Sequence, residues 1–272
     1  MNSTLFDFDA SKTFIGTESY FSIMYGSGNA FGLVAYDSVS IGGHPVKNQT
    51  IGIVFSLSLD IDIPFDGVLG LGSSNLTSIE NSKTVLENMV EQGVIPKNQF
   101  SFLLRHSNEQ SVLSLGGYDE SLIDGTMHWA PVTDVKRWTV NVDSMTVGDK
   151  VLQFSADKVL VDSGTSAITI STDAFTPIVG LLNATLAPSG NHQVECQGLP
   201  NVEFKINGVD FVVENSQYAV KDADKTIDPG KCVLAIVGQD IGFWVLGDAF
   251  MRNKLIAFDA EENRIGFGIL KK

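Results

Sequence analysis

Short runs in which apolar and polar positions alternate dominate this chain. Tyr20 to Tyr25, Gly32 to Ile41, Thr50 to Phe55, Phe100 to Leu104, Val112 to Leu115, Trp138 to Val147 and Val202 to Ile206 are rich in β-branched and aromatic residues. Gly, Asn and Asp bound them. Residues of this kind at a period of two predict half-buried strands, and many short strands between turn signals predict an all-β barrel or sandwich.

Two stretches follow the helical period instead. Thr84 to Gln92 brings Val85, Leu86, Met89 and Val90 to one face, with Gly93 just past the end. Thr172 to Leu182 places Phe175, Ile178, Val179 and Leu182 inward, with Ser171 or Thr172 as its cap and Pro177 early in its course. The fold class is therefore all-β with a few short helices, and the helices are expected to cover sheet ends. No linker, low-complexity segment or solenoid period interrupts the chain, whose 272 residues suffice for one large domain or two lobes.

Charge narrows the choice of partners. With 32 acidic and 18 basic residues the net charge is −14, which argues against nucleic acid or an anionic membrane as partner. No apolar run reaches the roughly 18 residues of a membrane span. Met1 to Asp7 has neither a basic start nor an apolar core, so it reads as the interior of a domain and not as a secretory leader. Sequons at Asn2, Asn48, Asn75 and Asn183 lean weakly toward a secretory route. Cys196 and Cys232 fall in the same C-terminal region, where they either close a loop or stay as two buried thiols.

Candidate chemistry centres on Asp162-Ser163-Gly164-Thr165-Ser166, between the apolar runs Val159-Leu160-Val161 and Ala167-Ile168-Thr169-Ile170. One strand delivers a carboxylate into a tight turn and a second strand leaves. A carboxylate among hydroxyls and backbone N–H groups suits general acid–base work, although Asp-Ser-Gly alone is also a common turn. Other chemistries lack support: His44, His106, His128 and His192 show no metal-ligand spacing, and no nucleophile elbow or P-loop occurs. Phe65-Asp66-Gly67-Val68-Leu69-Gly70 echoes Trp244-Val245-Leu246-Gly247. If the halves are equivalent, the counterpart of the Asp162 loop lies upstream of Met1.

These features, in this order, resemble the pepsin-like aspartic endopeptidases. Ile23-Met24-Tyr25-Gly26-Ser27-Gly28 looks like the family's flap, and Phe65-Asp66-Gly67-Val68-Leu69-Gly70-Leu71 like the segment beside its primary side-chain pocket. Gly116-Gly117-Tyr118-Asp119 and Trp129-Ala130-Pro131-Val132 look like the crossing between lobes. Cys196, Pro200, Phe204 and Cys232 are similar to the family's C-lobe disulfide region, and Val245 to Arg252 with Phe258-Asp259 to its final strands.

The resemblance implies a two-lobed pepsin-like double β-barrel with a central cleft. It divides the chain into an incomplete N-terminal lobe with the flap, 1–127, and a C-terminal lobe with the Asp-Ser-Gly loop, 128–272. It also implies a Cys196–Cys232 disulfide, a secreted or vacuolar/lysosomal location, and a monomer at full length. Asp162 is the implied catalytic residue. Tyr25, Gly26, Ser27, Phe65, Val68, Gly164, Thr165 and Ser166 are the implied contacts to a peptide or protein substrate, with no metal or cofactor.

In that family two Asp loops share one proton and hold a water that attacks the peptide carbonyl. Here the first loop is missing: Asp37-Ser38-Val39 and Asp143-Ser144-Met145 lack the Gly, and Asp66-Gly67 belongs to the pocket segment. The expectation is an N-terminally truncated endopeptidase chain that is inactive alone. The alternative is a non-catalytic pepsin-like protein whose cleft binds peptide.

Overall fold

The computed structural model describes residues 5–26, 28–59, 65–77, 79, 82–105, 109–154, 158–221 and 225–271. Strands dominate, the α-helices are short, and the chain divides into two compact units, 1–98 and 99–272. The all-β class expected from the alternation holds.

The first unit is built on one antiparallel sheet of three long strands, Ile15–Tyr25, Gly28–Ile41 and His44–Leu59. Its tightest packing is around Phe21, which is 5% exposed. A Cβ on Gly32 would sit 2.7 Å from that ring, and one on Gly52 would sit 2.5 Å from it. The ring thus lies across two neighbouring strands at positions where only glycine leaves room.

Asp37 is buried in the same sheet and accepts hydrogen bonds from Ser11, Thr13 and the Ser38 N–H. Burial pushes its carboxyl up, but those three donors outweigh it and hold the group below the usual carboxylate range. The helix Val85–Glu91 follows the predicted stretch. Thr84 and Glu87 form a reciprocal capping box, and Val85, Leu86 and Met89 are buried as expected. Asn88 is buried too, and donates to the Gln49 side chain at 2.8 Å.

One face of this sheet remains open. Tyr20 stacks on Phe31 at 5.7 Å, and Phe31 meets Phe55 edge-on at 5.2 Å, yet all three rings are exposed. Val34, on the opposite face, is fully covered.

The second unit contains four sheets. Its five-stranded sheet of Val112–Leu115, Gln99–Leu103, Lys254–Asp259, Arg264–Ile269 and His128–Pro131 draws on both sides of the boundary expected at 127/128. Gln99–Leu103 pairs with Lys254–Asp259, so residues 99–127 pack with the C-terminal part of the chain. Edge-to-face rings join the layers, from Trp244 through Phe204 and Phe250 to Phe267. No sheet closes on itself among the described residues, so the barrels expected for each lobe appear as open sheets. Three strands are too few to close the first unit's sheet, and strands of two to six residues divide the second unit among four sheets.

Cys196 and Cys232 form a disulfide, 36 residues apart in sequence. It ties the end of His192–Glu195 to Lys231–Leu234, strands already paired through Val194 and Cys232. Closing a loop of that length removes denatured-state entropy worth about 4 kcal/mol in the chain-entropy model. Cys232→Ser is expected to cost about 3–4 kcal/mol and to lower the melting temperature of the second unit. A melting curve unchanged by the substitution would show that the cross-link adds nothing beyond the strand pairing.

Candidate active site

Asp162 directly follows the strand Lys158–Val161, which neighbours the central strand of a five-stranded sheet ordered Ile236–Gly238, Ile168–Ile170, Trp244–Leu246, Lys158–Val161, Thr139–Asn141. Lys158–Val161 runs parallel to Trp244–Leu246, with Val161 opposite Leu246. Two neighbouring strands therefore end side by side, one releasing Asp162 and the other Gly247. Alternation sends Val159 and Val161 into the core with Trp244 and Leu246, all buried. Lys158 and Leu160 go to the opposite face, and Asp162 continues that side.

The two turns interlock. Asp162 N–H donates to the Leu246 carbonyl at 3.1 Å, Asp248 N–H to the Thr165 carbonyl at 2.8 Å, and Ala249 N–H to the Ser166 carbonyl at 3.1 Å. A Cβ on Gly247 would lie 2.1 Å from the Thr165 oxygen and 2.4 Å from that of Ala167. Only glycine permits this approach, which accounts for the Val-Leu-Gly pattern in the sequence.

The carboxylate itself is half-buried. Gly164 N–H donates to Oδ1 at 2.9 Å, and the Thr165 hydroxyl donates to Oδ2 at 2.7 Å. A carboxylate offers about four acceptor positions, so lone pairs remain on both oxygens for a water or a second acid. Ser166 is exposed and contributes its carbonyl to the interlock. Gly164 and Thr165 are thus brought onto Asp162 as hydrogen-bond donors.

The remaining predicted contacts belong to the first unit. Tyr25 ends the first strand of a hairpin and pairs with Gly28, with Gly26 in the turn. Tyr25 is partly exposed, and Phe65 and Val68 are exposed by 43% and 64%. Ser27 lies outside the described residues.

The sequence reading quoted Asp248 only as part of the final strands, yet it is a second carboxyl in the neighbourhood. It opens the helix Asp248–Met251. Burial raises its pKa, Arg252 works against this, and the negative charge of Asp162 adds to it. The Gly247-Asp248 step carried the signal: a polar residue directly after a buried apolar strand and a close-approach glycine.

Comparison with known proteins identifies the family. A family model described as eukaryotic aspartyl protease matches residues 1–270. Pepsin A of Rhinolophus ferrumequinum is 33% identical over 278 residues, covering 97% of this chain and 70% of that protein. Pepsin A of Sus scrofa is 32% identical over 273 residues, covering 96% and 69%. Pepsin-3 of Oryctolagus cuniculus is 32% identical with the same coverage. The chain belongs to the eukaryotic aspartyl protease family.

Proposed function

We propose that residues 1–272 supply one of the two carboxyls of an aspartic endopeptidase, Asp162, together with segments that hold its peptide substrate. The observation that best supports this is the Asp162 carboxylate itself: half-exposed, one donor on each oxygen, its loop locked to the Gly247 turn.

In the proposed reaction a water sits between Asp162 and a second carboxyl, one ionised and one protonated. The ionised group takes a proton from the water as its oxygen bonds to the peptide carbonyl carbon. The other gives its proton to the carbonyl oxygen. Collapse of the tetrahedral intermediate breaks the C–N bond, and a carboxyl protonates the departing amine. Gly164 and Thr165 hold Asp162 in place, and Ser166 lies beside the substrate backbone. Tyr25, Gly26, Ser27, Phe65 and Val68 are the proposed substrate contacts contributed by the first unit, Phe65 and Val68 to an apolar side chain. A secretory or vacuolar route fits the disulfide and the sequons, of which Asn48, Asn75 and Asn183 are exposed.

The 272 residues contain a single Asp-Ser-Gly or Asp-Thr-Gly sequence, so this mechanism takes its second loop from outside them. The same fact favours a second reading for residues 1–272 alone, a peptide-binding protein that does not cut. Purified residues 1–272 are expected to show no pepstatin-sensitive cleavage of a denatured protein between pH 2 and 6. Joining them to a segment that supplies an Asp-Thr-Gly loop is expected to produce cleavage. Cleavage by residues 1–272 alone would overturn the two-loop requirement. A joined protein that folds and binds peptide without cutting would favour the binding reading.

A further inference from the structure

The sheet face that leads to Asp162 bears a second feature. Thr139 lies opposite Leu160 across one strand pair and Val245 opposite Leu160 across the other, so Thr139, Lys158, Leu160 and Val245 share the side that continues to Asp162, and the antiparallel pairing places Arg137, two residues before Thr139, toward the Asp162 end. A cavity of about 490 Å³ is bounded by Lys158 and Phe243, at the end of the strands away from Asp162, and by Thr139 and Arg137, with Asp134 beside them.

The cavity wall is firmly held. The 134–137 turn is closed by Arg137 N–H to the Asp134 carbonyl at 2.9 Å, and Thr133 N–H donates to the Thr139 carbonyl at 2.8 Å. The Arg137 guanidinium lies 5.6 Å from the Phe243 ring centroid. Its Nη1 is 3.5 Å from Asp134 Oδ2, while Asp134 Oδ1 accepts from the Lys136 N–H. Lys158 is exposed and forms no ion pair among the described residues. Two cations therefore face one carboxylate around this cavity, an excess of positive charge on a chain whose net charge is −14.

We infer that this cavity is a specificity subsite for an acidic side chain of the bound peptide, with Arg137 and Lys158 as the residues that select it. This rests on the endopeptidase reading, which makes the Asp162 face a peptide-binding face. Four residues of strand separate Lys158 from Asp162, about 13 Å at 3.3 Å per residue. An extended peptide covers that distance in about four residues, so the selected Asp or Glu lies three to five residues from the bond that is cut. Phe243 would pack against its methylenes, and the two cations would hold its carboxylate. Both cations are exposed, so the effect is a preference and not an absolute requirement.

The test measures binding, so it needs no second Asp loop. Fluorescein-labelled, C-terminally amidated dodecapeptides with an apolar central pair would carry Glu three, four or five residues from the centre, or Gln at the same place. Affinity for residues 1–272 would be read by anisotropy at pH 6, where Glu with a pKa near about 4.3 is ionised. The overall field of the protein repels an acidic peptide, so a preference for Glu has to arise locally.

At one spacing the Glu peptide is expected to bind up to about fivefold more tightly, less so at high salt. Arg137→Met and Lys158→Met should each reduce that ratio. In Arg137→Glu/Lys158→Glu a Lys peptide should bind better than its Gln counterpart, an outcome that a misfolded variant does not produce. Equal affinity for Glu and Gln peptides at every spacing, or a preference that survives both Met substitutions, would overturn the subsite while leaving the endopeptidase reading intact. Failure of every peptide to bind would overturn both.

Discussion

Asp162→Asn is expected to lower kcat for peptide hydrolysis by about 10²–10⁴-fold in a protein that has both Asp loops, with KM little changed. Asn has the size and shape of Asp. Its amide oxygen can still accept from the Gly164 N–H, now at 2.9 Å, and the Thr165 hydroxyl can rotate to accept from the amide nitrogen. The interlock with the Gly247 turn runs through backbone groups and does not involve the side chain. The loop should therefore keep its form, and the melting temperature should stay within a few degrees.

What disappears is the proton chemistry, because Asn neither takes a proton from water nor carries one to the carbonyl oxygen. A second readout is independent of turnover. The negative charge of Asp162 helps raise the Asp248 pKa, so the apparent pKa of Asp248, followed by NMR, should fall in the variant. Retained kcat would remove Asp162 from the reaction. A large loss of stability would mean that the carboxylate matters chiefly to the loop.

The alternation that predicted strands acted through burial. Val202–Ile206 buries every second residue, and its Phe204 joins the ring contacts of the second core. Thr84 and Glu87 marked the helix start because a capping box is written in four consecutive residues. The Asp162 loop was legible for the same reason, with its donors Gly164 and Thr165 two and three residues away.

Features that depend on register between distant segments were not legible. Phe21 meets Gly32 and Gly52 only because three strands align. Arg137 and Lys158 line one cavity because neighbouring strands bring their segments together and the Arg137 guanidinium lies near Phe243, which no local pattern announces. The placement of residues 99–127 beside Lys254–Asp259 likewise follows from a pairing across about 150 residues. Lys254 is the clearest surprise, because a lysine opening an apolar run reads as a solvated strand end.

Lys254→Met is expected to stabilise the second unit at acidic and neutral pH, and progressively less as the pH rises above 7. Lys254 is 5% exposed. Its ammonium donates to the Phe250 carbonyl at 3.0 Å and lies 4.9 Å from the Phe250 ring centroid. Burial pushes its pKa down from 10.5 to about 7, with Glu214 opposing the shift. A base whose pKa is depressed by folding contributes stability that is present above about 10.5 and lost as the pH falls through about 7. Below pH 7 the native state therefore holds a buried charge that the unfolded chain would solvate, at a cost on the order of 3–5 kcal/mol.

Methionine has a similar reach and no charge, so it removes that cost. Above pH 10 both side chains are neutral, and the lost hydrogen bond to Phe250 should leave the wild type ahead by about 1 kcal/mol. Trp129, Trp138 and Trp244 all lie in the second unit, so tryptophan fluorescence in guanidinium titrations reports on it selectively. Titrations at pH 5, 7, 8.5 and 10 on both proteins cancel every other titrating group in the difference. A stability difference that stays constant across this range would show that Lys254 keeps its charge in the fold at alkaline pH. A Met variant that is less stable at pH 5 would show that the Phe250 contacts outweigh the cost of burying the ammonium. The consequence reaches the active site, because Phe250 belongs to the helix Asp248–Met251, whose first N–H groups hold the Thr165 and Ser166 carbonyls. Charging Lys254 thus loads the element that locks the Asp162 loop, and in a two-loop protein Lys254→Met should widen the acidic range over which that loop stays formed.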